Sequence, residues 1–89
     1  MPEQYEGLLD EAKRLVEGPR QRDYDSPAVN FDRIIKMWSV ILGREVSLEQ
    51  FVMCMIALKL SRSVHTPRRD DFVDIVGYIH ALDLATNDV

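Results

Sequence analysis

Eight consecutive apolar residues, Phe51 to Leu58 (FVMCMIAL), decide the fold of this chain. Helical spacing extends them into a helix from about Leu48 to Ser63 that is apolar on every face. Such a helix must be covered on all sides, and the run is too short to span a bilayer. Three partner helices or a second copy of the chain can supply the cover, and we favour a homo-oligomer. Within this run we expect Cys54 to be a small core residue.

Three further helices are predicted around this apolar helix. The first runs from about Glu3 to Glu17, where Gly18 and Pro19 stop it, and the second covers about Ala28 to Leu42. The last runs from about Asp70 to Leu84, and no stretch reads as a convincing strand. The sequence therefore predicts an all-α fold, a small four-helix bundle that forms one domain over residues 1–89 and is completed by oligomerisation.

Local signals mark the ends of the inner helices. Gly43 follows the second helix at the position that favours a left-handed residue. Ser47 and Gln50 have the spacing of a capping box at the start of the third helix. Trp38 lies on the apolar stripe of the second helix, which predicts a core position more strongly than stacking on a base.

Composition limits the compartment and the partners. The net charge of −4 argues against non-specific binding to nucleic acid, which needs a positive field. One cysteine excludes an internal disulfide and favours a reducing compartment. No signal-like leader or membrane-spanning run is evident, so we expect a cytoplasmic protein that does not enter the membrane.

The last predicted helix has carboxylates in an apolar setting. At 100° per residue, Asp70, Asp74 and Tyr78 share one face with the small residues Gly77 and Ala81. A short loop joins this helix to the third one, which predicts that the two are antiparallel neighbours. Lysine on an apolar face usually has a fixed anionic partner. We therefore expect Lys59 of the third helix to face Asp74 and Arg62 to approach Asp70.

Two interpretations of these charges stay open at this level. In one, they are ion pairs that fix the register of two helices. In the other, Asp70 and Asp74 hold a divalent cation or a ligand hydroxyl, while Lys59 and Arg62 bind phosphate. Tyr24, in the polar loop from Arg20 to Pro27, is a candidate for stacking on a base.

Other catalytic chemistries find little support in the sequence. His65 is predicted in a loop and His80 on a helix flank, so no metal-binding histidine pair is evident. The four glycines are isolated, which excludes a glycine-rich phosphate loop. Ser61 and Ser63 lack a recognisable base, and Cys54 is expected in the core, so nucleophilic catalysis finds no support.

The order of several residues resembles a pattern found in small phage-encoded proteins, approximately G-D-R-x-x-x-Y-G followed by N-F-x-x-I-x-x-x-W. The matching residues are Gly18, Arg20, Tyr24, Asn30, Phe31, Ile34 and Trp38, then Met55, Leu58, Lys59, Arg62, Asp70, Val73, Asp74, Gly77 and Tyr78. Those phage proteins are described as similar to MazG-type nucleoside triphosphate pyrophosphohydrolases. MazG-type enzymes are all-α oligomers that hold Mg²⁺ on clustered carboxylates and release a nucleoside monophosphate and pyrophosphate.

The resemblance implies a role for each matching residue. Asp70 and Asp74 would bind Mg²⁺ and act in catalysis with Lys59, which would neutralise phosphate as the bond breaks. The substrate-binding residues would be Arg20, Tyr24, Asn30, Arg62 and Tyr78. The resemblance thus predicts a phage nucleotide-handling protein, either a pyrophosphohydrolase or a degenerate relative that binds nucleotide.

This chain also departs from the MazG-type pattern. The E-x-x-E pair that those enzymes carry on an earlier helix is missing, since the second helix offers Asp32 alone. Asp25 stands where the phage pattern has glycine. An alternative is therefore a non-catalytic binding module, such as a nucleotide sponge or an inhibitor of a host protein. A third hypothesis is a structural oligomer in which the charges only fix the helix register.

Overall fold

Four α-helices and no strand make up the part of the chain that a computed structural model describes, residues 6–18 and 26–87. They are α1 (Leu8–Glu17), α2 (Pro27–Leu42), α3 (Leu48–His65) and α4 (Arg69–Thr86). The predicted small all-α bundle is confirmed. Among the described residues, no helix combines the length and the apolar character needed to cross a membrane.

The helix ends follow from local chemistry. Ser47 Oγ accepts a hydrogen bond from Gln50 N at 3.1 Å, and Ser47 N donates to Gln50 Oε1 at 2.9 Å, which confirms the capping box. Gly43 ends α2 with a φ of +67°, the left-handed conformation that glycine adopts without strain. α3 runs two residues beyond Ser63 and ends at His65, one residue before the position preceding Pro67, where helical dihedrals are disfavoured.

α1 is shorter than predicted. It begins at Leu8, because Gly7 has an extended backbone at the N-cap and offers no side chain to cap a longer helix. Residues 3–5 of the predicted helix lie outside the described residues. Glu6 does not extend the helix; its carboxylate accepts hydrogen bonds from Arg14 instead.

α4 is the central element, with α1 on one side and α3 on the other. Arg69 pairs with Glu11 near the start of both α4 and α1, and His80 pairs with Glu17 further along, so these two helices run parallel. A Cβ on Gly77 would lie 3.6 Å from a methyl group of Val16, which shows how closely the two helices approach.

An aromatic cluster joins α2 to α3 and α4. The ring of Phe31 lies 4.9 Å from that of Phe51 and 5.8 Å from that of Tyr78. Trp38 meets Phe51 edge-on at 5.1 Å and is half-buried, so it packs against the core residue Phe51 without being fully buried itself. No residue of α2 is fully buried, so these rings are its main described attachment.

Burial in the described chain is limited to a few side chains. The fully buried apolar residues are Ala12, Phe51, Val52, Val73 and Ala81. Cys54 is exposed, so the prediction of a core cysteine is wrong. The reason is that α2 and α4 cover one side of α3 only, and the opposite side of this apolar helix faces solvent.

Candidate functional site

Lys59 and Asp74 form an ion pair across α3 and α4. Lys59 Nζ lies 2.9 Å from Asp74 Oδ2, and only 13% of the lysine side chain is exposed. The predicted pairing is therefore confirmed. An ammonium this deeply covered needs its carboxylate, because few water molecules can reach it.

Arg62 pairs with a different carboxylate from the one predicted. Its Nε lies 3.6 Å from Asp71 Oδ1, whereas Asp70 is exposed to solvent, so the predicted Arg62–Asp70 approach is wrong. Residue spacing explains the outcome. Lys59 and Arg62 are three positions apart on one helix, and antiparallel packing matches them with two carboxylates that are also three apart. Asp71 and Asp74 satisfy this condition, whereas Asp70 and Asp74 do not.

Asp71 is the most unusual group in the site. Its side chain is 2% exposed, and its Oδ2 atom has no hydrogen-bond partner within residues 6–18 and 26–87. The other oxygen, Oδ1, lies at a loose 3.6 Å from Arg62 Nε. Burying a carboxylate oxygen without a partner costs stability, so this group calls for an explanation. The equal spacing of the two cations and the two carboxylates is the sequence signal that identifies it.

The carboxylates do not converge as a magnesium site requires. Asp74 is engaged by Lys59, Asp71 faces Arg62, and Asp70 points to solvent. No group of three or more His, Cys, Asp or Glu side chains among the described residues could hold a metal ion. The described carboxylates therefore form no ready-made cage for Mg²⁺, and an ion here would be held by one or two carboxylates together with water and substrate phosphates.

The remaining predicted site residues divide into three groups. Tyr78 is half-buried one turn beyond Asp74, and its ring packs against Phe31. Asn30 is half-buried on α2, next to Phe31. Arg20 and Tyr24 lie outside the described residues.

The beginning of α4 adds backbone donors near Arg62. Arg68 is its N-cap and makes no side-chain capping hydrogen bond. The amides of Asp71 and Phe72 donate to the Arg68 carbonyl, so the hydrogen bonding of α4 begins at this residue. Exposed N–H groups at a helix N-terminus are suited to binding an anion.

A small cleft lies elsewhere in the molecule, between α1, the start of α2 and the end of α4. Its volume is about 180 Å³, and its lining residues are Val16, Ser26, Pro27, Ala28, Ala81, Leu84 and Ala85. Ligand pockets usually measure roughly 300–1,000 Å³. This cleft is therefore too small for a nucleotide, and none of the predicted site residues lines it.

Comparison with known proteins identifies a family and a phage relative. Residues 7–85 match the family model described as "Domain of unknown function (DUF6378)". The chain is similar to the Gene 55 protein of Mycobacterium phage D29, at 38% identity over 74 residues. This alignment covers 82% of the chain and 49% of the phage protein, so the chain spans about half the length of that relative. No solved structure shows significant similarity. The phage relative confirms the expected similarity to phage-encoded proteins.

Proposed function

Because this chain belongs to the DUF6378 family and has a phage relative, we propose that it is a phage nucleotide-handling protein that binds the nucleotide through its phosphates. The resemblance to MazG-type enzymes allows either a pyrophosphohydrolase or a relative that binds without hydrolysis. The geometry around Arg62 is the observation that supports phosphate binding most directly.

Arg62 has the properties of a phosphate receptor. The buried carboxylate of Asp71 contacts its Nε, and 49% of the arginine side chain is exposed. This contact through Nε measures 3.6 Å to Asp71 Oδ1. A guanidinium that is oriented at one edge and open at the other can bind two phosphate oxygens at once.

Neighbouring groups extend this receptor. Lys59 lies one turn earlier on α3, and an incoming phosphate would share it with Asp74. The start of α4, with the exposed Arg68 at its N-cap, lies near Arg62, and the N-terminal end of a helix attracts anions. We therefore place the phosphates at the C-terminal end of α3 and the N-terminal end of α4. Asn30 and Tyr78, together with Arg20 and Tyr24, remain the proposed contacts to sugar and base.

Two of the three carboxylates near the site are already paired with cations of α3, Asp74 with Lys59 and Asp71 with Arg62. This arrangement favours nucleotide binding over metal-assisted hydrolysis. Mg²⁺ at Asp70 and Asp74 stays a prediction, and no step of the proposal depends on it. A nucleotide sponge or an inhibitor of a host protein would use the same phosphate site without turnover. Nucleotide binding in an infected bacterium places this protein in the host cytoplasm.

Calorimetry with a panel of nucleoside triphosphates, with and without a chelator, tests the proposal. We expect binding that Arg62→Gln weakens at least about tenfold, since hydrogen bonds to charged groups contribute about 1.5–3 kcal/mol. Arg44→Gln is the matched control, because Arg44 lies in the exposed turn after α2 and the change in charge is the same. No binding by any nucleotide, or equal binding by both variants, would contradict the proposal.

The recovered ligand separates the two forms of the proposal. Intact triphosphate and binding that is indifferent to the chelator support the non-catalytic module. Release of pyrophosphate only when Mg²⁺ is present supports the pyrophosphohydrolase.

A further inference from the structure

Cations and carboxylates are equal in number around the proposed phosphate site. Between residues 59 and 74 the chain has four lysine and arginine side chains and three aspartates. Arg69 pairs with Glu11 of α1, which adds a fourth carboxylate. We call this set the α3–α4 junction, and it consists of Glu11, Lys59, Arg62, Arg68, Arg69, Asp70, Asp71 and Asp74. The described side chains of the junction therefore have no net charge when all are ionised.

Two cations of the junction are held closely by carboxylates. Lys59 Nζ lies 2.9 Å from Asp74 Oδ2, and 13% of the lysine side chain is exposed. Arg69 Nη1 lies 2.9 Å from Glu11 Oε1. An incoming phosphate would have to share either cation with a carboxylate that is already at hydrogen-bonding distance. Each of these two pairs therefore supplies only part of a positive charge to a ligand.

Arg62 is the cation of the junction with the loosest carboxylate contact. Its Nε lies 3.6 Å from Asp71 Oδ1, and half of its side chain is exposed. The planar guanidinium presents N–H groups in a fork that matches two oxygens of one phosphate group. Arg68 is exposed at the N-cap of α4, but Asp70 is exposed two residues later and offsets its charge. The junction thus centres its attraction for anions on one guanidinium.

We propose that this site takes a single phosphate group, so that its ligand is a nucleoside monophosphate and further phosphates add no affinity. The ligand class rests on the nucleotide binding proposed above. A phosphate monoester carries about two negative charges at neutral pH. The guanidinium of Arg62 and the N-terminal end of α4 together match such a charge.

Further phosphates would meet carboxylates instead of free cations. Each added phosphate brings more negative charge to a junction whose own charges are balanced. Asp71 is 2% exposed, so little water screens its carboxylate from a ligand bound at Arg62. Asp70 adds an exposed negative charge in the first turn of α4. The gain from a second or third phosphate is therefore cancelled by repulsion.

Calorimetry in the presence of a chelator tests the number of phosphates. The ligands are the mono-, di- and triphosphates of adenosine, guanosine, cytidine and uridine and of their deoxy forms. For the nucleoside that binds, we expect the three dissociation constants to agree within about threefold. A receptor for all three phosphates would bind the triphosphate at least about tenfold tighter than the monophosphate, and that result overturns the single-phosphate site. It would leave nucleotide binding intact, whereas no binding by any of these ligands contradicts the proposed function itself.

Asp70→Asn tests the electrostatic cause. Removing this negative charge should raise the affinity for triphosphate about threefold or more relative to monophosphate. Glu49→Gln is the matched control, because Glu49 is an exposed carboxylate in the first turn of α3. It lies about 20 Å from Arg62 along the helix axis, beyond the Debye length of about 10 Å at 0.1 M salt. An affinity ratio that is unchanged in Asp70→Asn, or that changes equally in the control, overturns the single-phosphate site.

Ribose 5-phosphate and inorganic phosphate separate the nucleoside from its phosphate. Both offer the single phosphate group that Arg62 would bind, but neither has a base. We expect both to bind at least about fivefold more weakly than the nucleoside monophosphate, since stacking of a base contributes to affinity. Equal binding of inorganic phosphate and the monophosphate would overturn the assignment, because the site would then recognise any phosphate anion.

Discussion

Lys59 Nζ lies 2.9 Å from Asp74 Oδ2, and this contact joins α3 to α4 through a lysine whose side chain is largely covered. One turn away, Arg62 meets Asp71. Because both pairs match cations three residues apart with carboxylates three residues apart, a shift by one residue would break both contacts. The two pairs therefore define a single register, and the phosphate site proposed above is built on it.

Asp74→Asn should lower the free energy of unfolding by about 1–3 kcal/mol, because it leaves the covered Lys59 ammonium without its carboxylate. Asp32→Asn is the control. Asp32 pairs with Lys36 at 2.8 Å on the exposed surface of α2, where such a pair is worth roughly 0.5 kcal/mol or less. Urea denaturation of both variants measures the difference. Equal losses would show that the α3–α4 pair behaves as an ordinary surface pair.

Asp71→Asn should leave stability unchanged or raise it by about 1 kcal/mol, since it keeps the shape of the side chain and removes a poorly paired buried charge. Replacing aspartate with asparagine is thus expected to lower stability at position 74 but not at position 71. Thermal melts compare the two variants directly. Nucleotide binding should weaken in Asp71→Asn, because Arg62 loses the carboxylate that orients it. A large loss of stability would assign Asp71 a structural role instead.

Gly77→Ala should stabilise the chain by about 0.5–1 kcal/mol, because alanine is the better helix former and its Cβ would make an ordinary 3.6 Å contact with Val16. Gly43→Ala should have the opposite effect and cost about 1–2 kcal/mol, because position 43 has a φ of +67°. Denaturation midpoints for the pair test both signs. A loss of stability in Gly77→Ala would mean that α1 and α4 cannot accommodate one methyl group.

The pKa of Glu6 lies below its ordinary value of 4.5, first because Arg14 donates a hydrogen bond to its carboxylate and also through the charges of Arg14 and Arg69. A lowered folded-state pKa means that this pairing contributes stability above pH 4.5, and that the contribution is lost as the pH falls through the folded pKa. NMR titration of the Glu6 carboxyl carbon measures the value. Arg14→Gln should return it towards 4.5, whereas Lys13→Gln should change it little.

Most of the fold could be predicted because its signals are local. Gly43 and the capping box at Ser47 act within a few residues, and each marks a helix end correctly. The apolar stripe of α2 marks the covered face at Phe31 and Trp38, whereas Ile41 and Leu42 at its end are exposed. The burial of Cys54 could not be predicted in this way. An all-apolar helix has no preferred side, so its sequence does not say which face its neighbours cover.

The site was harder to predict than the fold, because it depends on how two helices are aligned. The pairing of Lys59 with Asp74 follows from α3 and α4 being antiparallel neighbours. The choice between Asp70 and Asp71 depends on a rotation of 100°, which the packing of α4 between α1 and α3 determines. Comparing the residue spacings on α3 and α4 identifies Asp71 as the partner of Arg62. A helical-wheel projection of α4 alone does not.

The connection between α3 and α4 is only residues 66–68, yet the alignment of the two helices is set by their charge pairs. Turn length and helix alignment are therefore separable properties in this hairpin. Added residues in the turn would enlarge a surface loop at small entropic cost while both ion pairs keep their partners. The turn is thus a suitable place to insert a tag or a fluorophore as a reporter beside Arg62.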